Sequence, residues 1–163
     1  HRILKDMGVP LLIHQPSYSI LNRWIEDDDT IGACGELGVG IIPFSPLAQG
    51  LLSGKYNTGK SSGTRIEEKN SSISRERYLA PNVLAAVEAL GAIAEQRGQT
   101  MVQLALSWVL RRPEVTSALI GVRTREQLED CLGAVGAAPI TPDEAAAIDA
   151  AVKGGLLDNR PRI

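Results

Sequence analysis

Residues 44–56 of this chain read FSPLAQGLLSGKY, and this stretch decides how the fold is understood. It follows a short apolar run at residues 39–44, of the kind that forms a strand buried on both faces in a parallel sheet. Serine, glutamine and glycine then come directly after that strand. Because glycine lets a ligand approach the backbone closely, this composition at a strand end predicts a ligand-binding loop.

Apolar runs and helical repeats alternate on both sides of this loop. Residues 11–15 (LLIHQ) and 116–120 (TSALI) predict two further buried strands. Helical periodicity predicts helices over residues 2–7, over 20–37 with a break near the acidic run at 26–29, and over 81–97. Strands that alternate with helices in this way build a parallel α/β sheet with right-handed crossovers.

Local signals mark where several helices begin and end. Thr100, Thr124 and Thr141 are each followed three residues later by Gln or Glu, which is the pattern of a capping box. Proline at the first helical position strengthens the signal after Thr141. Gly38 and Gly98 are natural helix stops. These signals predict that three further helices follow the three threonines.

The segments at residues 14–19 (HQPSYS) and 44–56 resemble the aldo-keto reductase family, and within it the bacterial glyceraldehyde-phosphate-reductase-like and potassium-channel β-subunit-like members. The resemblance covers almost the whole chain and implies that the predicted strands are the last three of an eight-stranded barrel. A complete TIM barrel has roughly 250 residues. We therefore expect an α/β fold in which residues 1–163 are the C-terminal half of a TIM (β/α)8 barrel, its last three βα units, with the N-terminal half absent.

Composition argues against several classes of function. The 163 residues have a net charge of −2, with 44% hydrophobic and 22% charged, which is typical of a globular domain without a basic surface for nucleic acid. No apolar run reaches the ~18 residues of a membrane span, so we expect a cytoplasmic protein. Cys34, Cys131, His1 and His14 lack the spacing of a zinc site, and we expect no metal.

The resemblance implies that the strand ends bind a nicotinamide dinucleotide. Gln15 would bind the nicotinamide carboxamide, and Phe44 would stack on the nicotinamide ring. From the residues alone, a Gln15 bonded to nearby backbone and a Phe44 packed in the core stay open as alternatives. The loop after Phe44 would contact the pyrophosphate and ribose through Ser45, Pro46, Leu47, Gln49 and Gly50.

A second candidate site follows the third predicted strand. Arg123 and Thr124 stand at a helix start, where free N–H groups, the helix dipole and a guanidinium favour a phosphate; an ordinary solvated helix start is the alternative. The matching family segment grips the adenosine 2′-phosphate, which implies NADPH rather than NADH. The cofactor residues it implies are Gly121, Arg123, Thr124, Gln127 and Asp130. Cys131 stands where the family often has an Asn that contacts adenine, and a thiol is a poor substitute for that amide.

We assign no catalytic residue within this chain. The family reduces aldehydes and ketones by hydride transfer from NADPH, with a Tyr acid supported by Asp, Lys and His, and all four lie in the first half of the barrel. Tyr18 and Tyr56 do not match the position of that Tyr, His14 is expected to be a buried residue behind the site, and Lys55 and Asp27 do not fill the missing roles. The resemblance thus implies an NADPH-dependent oxidoreductase, with this chain alone inactive.

Two alternatives stay open. One is an NADPH-binding redox-sensing or regulatory subunit with little turnover. The other is an inactive, truncated half-barrel that self-associates, because three parallel strands leave unpaired edges and an uncovered apolar face. The expected partners are a small aldehyde or ketone and, if the chain is this short, further copies of itself, with no nucleic acid and no membrane.

Overall fold

The computed structural model of the chain describes residues 1–54, 75–153 and 155–160. Lys55 and Tyr56 lie outside the described residues. The strands are β1 (Ile13–His14) and β2 (Gly40–Ile41), and a 3₁₀ helix spans Ala48–Ser53. The α-helices are α1 (Arg2–Asp6), α2 (Trp24–Asp27), α3 (Thr30–Leu37), α4 (Arg75–Tyr78), α5 (Pro81–Gln96), α6 (Met101–Leu110), α7 (Arg125–Leu132) and α8 (Pro142–Val152).

The strands run parallel, as the alternation of strands and helices predicts. The register places Ile13 opposite Gly40 and His14 opposite Ile41. The third predicted strand, at residues 116–120, does not form a continuous strand. Isolated parallel bridges join Val115 to Ile41 of β2 and Leu119 to Phe44. The carboxyl ends of β2 and of this bridged segment therefore meet at one edge of the sheet layer.

The expectation that residues 11–15 form a fully buried strand is wrong. Leu12 is 65% exposed and Ile13 is 54% exposed, whereas His14 is half-buried. Phe44, which ends the second predicted strand, is also 41% exposed. Within the described ranges no element covers the sheet face on which these apolar side chains lie, so they keep much of their surface exposed.

The helix signals are largely confirmed. The long predicted helix breaks at the acidic run into α2 and α3, although residues 20–23 are not helical, and Gly38 ends α3 with a φ of 68°. Thr100 and Thr141 each close the complete capping box that the sequence predicts. Thr124 forms only half of one. Its hydroxyl accepts from the backbone N–H of Gln127, but the Gln127 side chain accepts from Arg123 instead.

The helices pack around one apolar core. Helix α5 packs against α6 and α8, and α6 also packs against α7. Leu104 and Trp108 on α6, Leu90 on α5 and Ile148 on α8 are buried at the centre of this core. None of the helices in the described ranges is both long and apolar enough to cross a membrane.

Tyr18 lies in the core rather than at the sheet edge. Its ring packs on Trp108 with 5.1 Å between the ring centroids. Its hydroxyl donates to Glu26 at 2.6 Å and accepts from Arg111 at 3.0 Å. Burial raises the pKa of this phenol well above its usual range, so it stays protonated. These contacts give Tyr18 a structural role.

Candidate functional site

A cleft lies where β2 and the bridged segment at residues 115–119 end. Its volume is about 270 Å³. One side is the loop at residues 45–53, and the other is the loop at residues 119–123 together with α7. Val102, at the start of α6, also lines it. The cleft thus brings together two segments that are more than sixty residues apart in the sequence, roughly at the edge where α/β proteins bind ligands.

The loop after β2 has an unusual backbone. Ser45, Ala48 and Gln49 have φ values of 57°, 47° and 59°, in the left-handed region that non-glycine residues rarely adopt, and Gly50 follows at 91°. Each such non-glycine residue costs about 1–3 kcal/mol, and strained residues of this kind cluster at ligand-binding sites. The loop backbone therefore supports the ligand-loop prediction independently of its composition.

The loop is held in this conformation from beneath. Leu51 and Leu52 are fully buried in the core. The side-chain amide of Gln49 donates to Ser45 Oγ at 3.0 Å, and the Ser53 hydroxyl donates to the carbonyl of Gly50 at 2.6 Å. Buried leucines and local hydrogen bonds give the cleft a preformed wall.

The opposite wall is the start of α7. Gly121 and Arg123 are exposed residues on the cleft surface. The Gln127 side-chain carbonyl accepts from the backbone N–H of Arg123 at 2.9 Å, which fixes the loop against the helix. Thr124 caps the helix by accepting from the backbone N–H of Gln127 at 3.3 Å.

The start of α7 stabilises negative charge. Hydrogen bonds from the backbone N–H of Glu126, and then from the Thr124 hydroxyl, hold the pKa of the Glu126 carboxyl below its usual range. The amide groups and dipole at a helix N-terminus favour an anion for the same reason. Arg123 adds a positive side chain to the cleft beside this helix end.

The last turn of α7 contributes Asp130 and Cys131 to the cleft. Cys131 is buried, and it packs with Val102, Leu106 and Ala134 in a small apolar cluster between α6 and α7. Burial first, and the Asp130 carboxylate second, raise the pKa of the Cys131 thiol. At this point the cleft wall combines the Asp130 carboxylate with an apolar cluster that holds the Cys131 thiol.

Most of the predicted cofactor residues line this one cleft. The residues that do so are Ser45, Pro46, Leu47, Gln49, Gly50, Gly121, Arg123, Gln127 and Asp130. Gln15, Phe44 and Thr124 are exposed and lie outside its lining. Gln15 follows β1 directly, and Phe44 lies three residues after the end of β2. Phe44 also forms parallel bridges with Ser17 and Leu119.

Four apolar residues of the cleft, Leu119, Ile120, Val122 and Val102, were not predicted. Leu119 and Ile120 belong to the predicted third strand, and Val102 belongs to α6. A strand end beside a candidate loop is a signal that could have found the first two. Val102 carries no local signal, because only the packing of α6 against α7 brings it to the cleft.

A metal site finds no support in the part of the chain that the structure describes. There, no group of three or more His, Cys, Asp or Glu side chains could hold a metal ion. Both cysteines, Cys34 and Cys131, are free and buried.

Comparisons with known proteins agree on one family. The model of the aldo/keto reductase family matches residues 1–153. L-glyceraldehyde 3-phosphate reductase of Escherichia coli (strain K12) is 40% identical over 161 residues, which cover 96% of this chain and 46% of that protein. A chloroplastic pyridoxal reductase of Arabidopsis thaliana is 35% identical over 154 residues, which cover 94% of this chain and 40% of that protein.

A solved structure shares the fold. The glycerol dehydrogenase from Gluconobacter oxydans superposes with a TM-score of 0.71 at 22% identity, over 96% of this chain and 48% of that chain. The chain therefore spans about half the length of the relatives and of the solved structure that it matches.

Proposed function

Because this chain belongs to the aldo/keto reductase family, whose fold is the TIM barrel, we propose that it supplies part of the cofactor site of an NADPH-dependent reductase of aldehydes or ketones. The observation that carries the proposal is the single cleft formed by the loop at residues 45–53 and the start of α7. Both segments carry cofactor contacts that the sequence predicts. We further propose that residues 1–163 are the last three βα units of the barrel.

Tyr18 supports the proposal that the chain alone has no general acid. Its phenol lies in the core, hydrogen-bonded to Glu26 and Arg111, and burial keeps it protonated. A catalytic acid must reach the reacting group of the substrate. We propose that the proton donor of the reductase comes from barrel residues beyond these three units.

The cleft suits part of a dinucleotide. Its volume of about 270 Å³ lies near the lower end of the range for small-molecule sites, so it would hold one portion of NADPH rather than the whole molecule. A Cβ built on Gly121 meets no heavy atom within 4 Å, which leaves open space at the cleft surface. The start of α7 and Arg123 supply the attraction for a phosphate.

The exposed strand-end residues fit the nicotinamide end of the cofactor. Phe44 is 41% exposed, which favours the stacking role over the core role that the residues alone left open. Gln15 is exposed at the end of the neighbouring strand. NADPH, when bound, supplies the hydride. The residues of this chain would bind the cofactor and orient it, with Gln15 on the carboxamide and the residues of the cleft on the phosphates and ribose.

Replacing Arg123 by alanine tests this proposal. We expect the Kd for NADPH to rise about ten-fold, because the guanidinium would bind the 2′-phosphate, while the Kd for NADH stays unchanged. Fluorescence titration of both cofactors measures the two constants. The matched control is Arg125→Ala, since Arg125 is 84% exposed and pairs with Glu129 at 2.7 Å outside the cleft. The proposal would be contradicted if the two substitutions changed the Kd for NADPH equally, or if Arg123→Ala weakened NADPH and NADH binding equally.

Self-association is a second candidate, and one observation favours it. Leu12 and Ile13 on and beside β1 are 65% and 54% exposed, although strand residues of a parallel sheet are normally covered on both faces. Either the remaining barrel units or a second copy of the chain would cover them. The molar mass in solution distinguishes a self-associated half-barrel from a monomer.

A further inference from the structure

Asp130 joins the start of α6 to the end of α7. Its Oδ1 accepts a hydrogen bond from the Thr100 hydroxyl at 2.7 Å and another from the Gln103 side-chain amide at 3.2 Å. The dipole of α6 also favours a carboxylate at this position. One oxygen of Asp130 is therefore committed to α6, although Asp130 lines the cleft.

The side chains of Thr100 and Gln103 each accept one hydrogen bond at the start of α6 and donate another to Asp130. Thr100 Oγ1 accepts from the backbone N–H of Gln103 at 3.1 Å, and Gln103 Oε1 accepts from the backbone N–H of Thr100 at 3.2 Å. This capping box fixes both side chains before they donate to Asp130. A Cβ built on Gly133 would overlap the Gln103 side-chain nitrogen, so the glycine at this position leaves room for the contact.

The two donors lie outside the cleft, whereas the residues that they hold lie in it. Thr100 and Gln103 do not line the cleft; Gln127, Asp130 and Cys131 on α7 do. Below the polar contact, Val102 and Leu106 of α6 pack with Cys131 of α7 in a small apolar cluster. The hydrogen bonds of Thr100 and Gln103 to Asp130, which we call the α6–α7 clamp, thus fix where the α7 wall stands.

We propose that Thr100 and Gln103 are positioning residues that hold the α7 wall through Asp130 and so set the affinity of the cleft for NADPH. The inference rests on the proposed function for its ligand. It assigns Asp130 a role as the anchor of α7, beyond the cofactor contact that the family resemblance implies. Loss of the clamp would displace Gln127 and Cys131 without removing any group from the cleft.

The substitution Thr100→Val removes the hydroxyl and keeps the shape of the side chain. We expect the Kd for NADPH to rise about five-fold, because the α7 wall is no longer held in the binding geometry. Thr100→Ser keeps the hydroxyl, and its Kd for NADPH should equal that of the unsubstituted chain. The matched control is Thr141→Val, since Thr141 closes the same kind of capping box on α8, away from the cleft. It should lower the melting temperature by a similar amount and leave the Kd unchanged.

Alkylation by iodoacetamide, quantified for each cysteine by peptide mass spectrometry, reads the position of α7 without any nucleotide. Thr100→Val should speed the alkylation of buried Cys131 several-fold and leave that of Cys34, on α3, unchanged. If the alkylation of both cysteines speeds up equally, or if Thr141→Val changes the Kd as much as Thr100→Val does, Thr100 and Gln103 are merely structural and the proposal is wrong. If the unsubstituted chain does not bind NADPH, the proposed function fails for the chain, and Cys131 alkylation alone decides whether the clamp exists. If Thr100→Val does not fold, Gln103→Met carries the same test.

Discussion

Replacing Trp108 by alanine is expected to lower the free energy of unfolding by about 4 kcal/mol. The side chain is 1% exposed at the centre of the core, so truncation removes buried apolar surface and leaves a cavity. A typical domain is stable by only about 5–15 kcal/mol. We expect this substitution to be the most damaging single change considered for this chain.

Two guanidinium groups raise the cost of losing this ring. The Cζ atoms of Arg111 and Arg23 lie 3.6 Å and 4.5 Å from a Trp108 ring centroid, within the range of a cation–π contact. Each is also an ion-pair partner, Arg111 with Glu26 at 2.7 Å and Arg23 with Asp149 at 2.5 Å. The indole therefore packs against two charged groups that their carboxylate partners hold in place.

Urea unfolding of the matched variants measures this effect. Trp108→Phe keeps an aromatic ring and should lower the free energy of unfolding less than Trp108→Ala does. Leu110→Ala on the same helix is the control, because Leu110 is 38% exposed and should cost little. A loss for Trp108→Ala no larger than that for Leu110→Ala would contradict the account of the core.

The substitution Gly121→Val is expected to raise the Kd for NADPH at least about ten-fold without lowering the melting temperature. Gly121 lines the cleft, and a Cβ built there meets no heavy atom within 4 Å. Its φ lies outside the left-handed region, so valine adds no backbone strain. The added side chain would instead occupy space that the dinucleotide is proposed to use.

Two comparisons separate a filled cleft from a damaged fold. Ser117→Val adds a similar side chain to an exposed position of the same segment outside the cleft, and it should leave the Kd unchanged. Gly50→Val should lower both affinity and melting temperature, because Gly50 has a φ of 91°. Cofactor titration and thermal melts on the same samples decide the question. An unchanged Kd for Gly121→Val would place the nucleotide elsewhere.

The helices were predictable because their signals are local. Thr100 and Thr141 close capping boxes within a single turn, and Gly38 ends α3 through its own backbone conformation. Each of these features depends on residues three or four positions apart. Sequence spacing is enough to find them.

The strands were less predictable because their burial depends on distant neighbours. The apolar run at residues 11–15 indicates a strand that could be covered on both faces, but Ile13 is 54% exposed in the described chain. The segment at residues 115–119 joins the sheet only through isolated bridges to Ile41 and Phe44. Apolar composition shows what a strand can bury, and only the assembled sheet decides what it does bury.

The candidate site divides in the same way. The loop at residues 44–56 and the helix start at Arg123 were identifiable from motifs and a family resemblance. The approach of Val102 to the cleft and the contact of Thr100 with Asp130 were not, because they join α6 to α7 across some thirty residues of sequence. Contacts of this kind depend on how two helices pack.

Backbone amide NMR spectra of the chain with and without NADPH test most directly whether this cleft binds the cofactor. We expect the amide signals of Gly50, Gly121 and Arg123, on both walls of the cleft, to shift, and those of Glu88 on α5 and Ala146 on α8 to stay unchanged. NADH should shift Gly50 but affect Arg123 less, since it lacks the 2′-phosphate. Shifts confined to α5 and α8, or a spectrum unchanged by millimolar NADPH, would contradict the assignment of this cleft as a cofactor site.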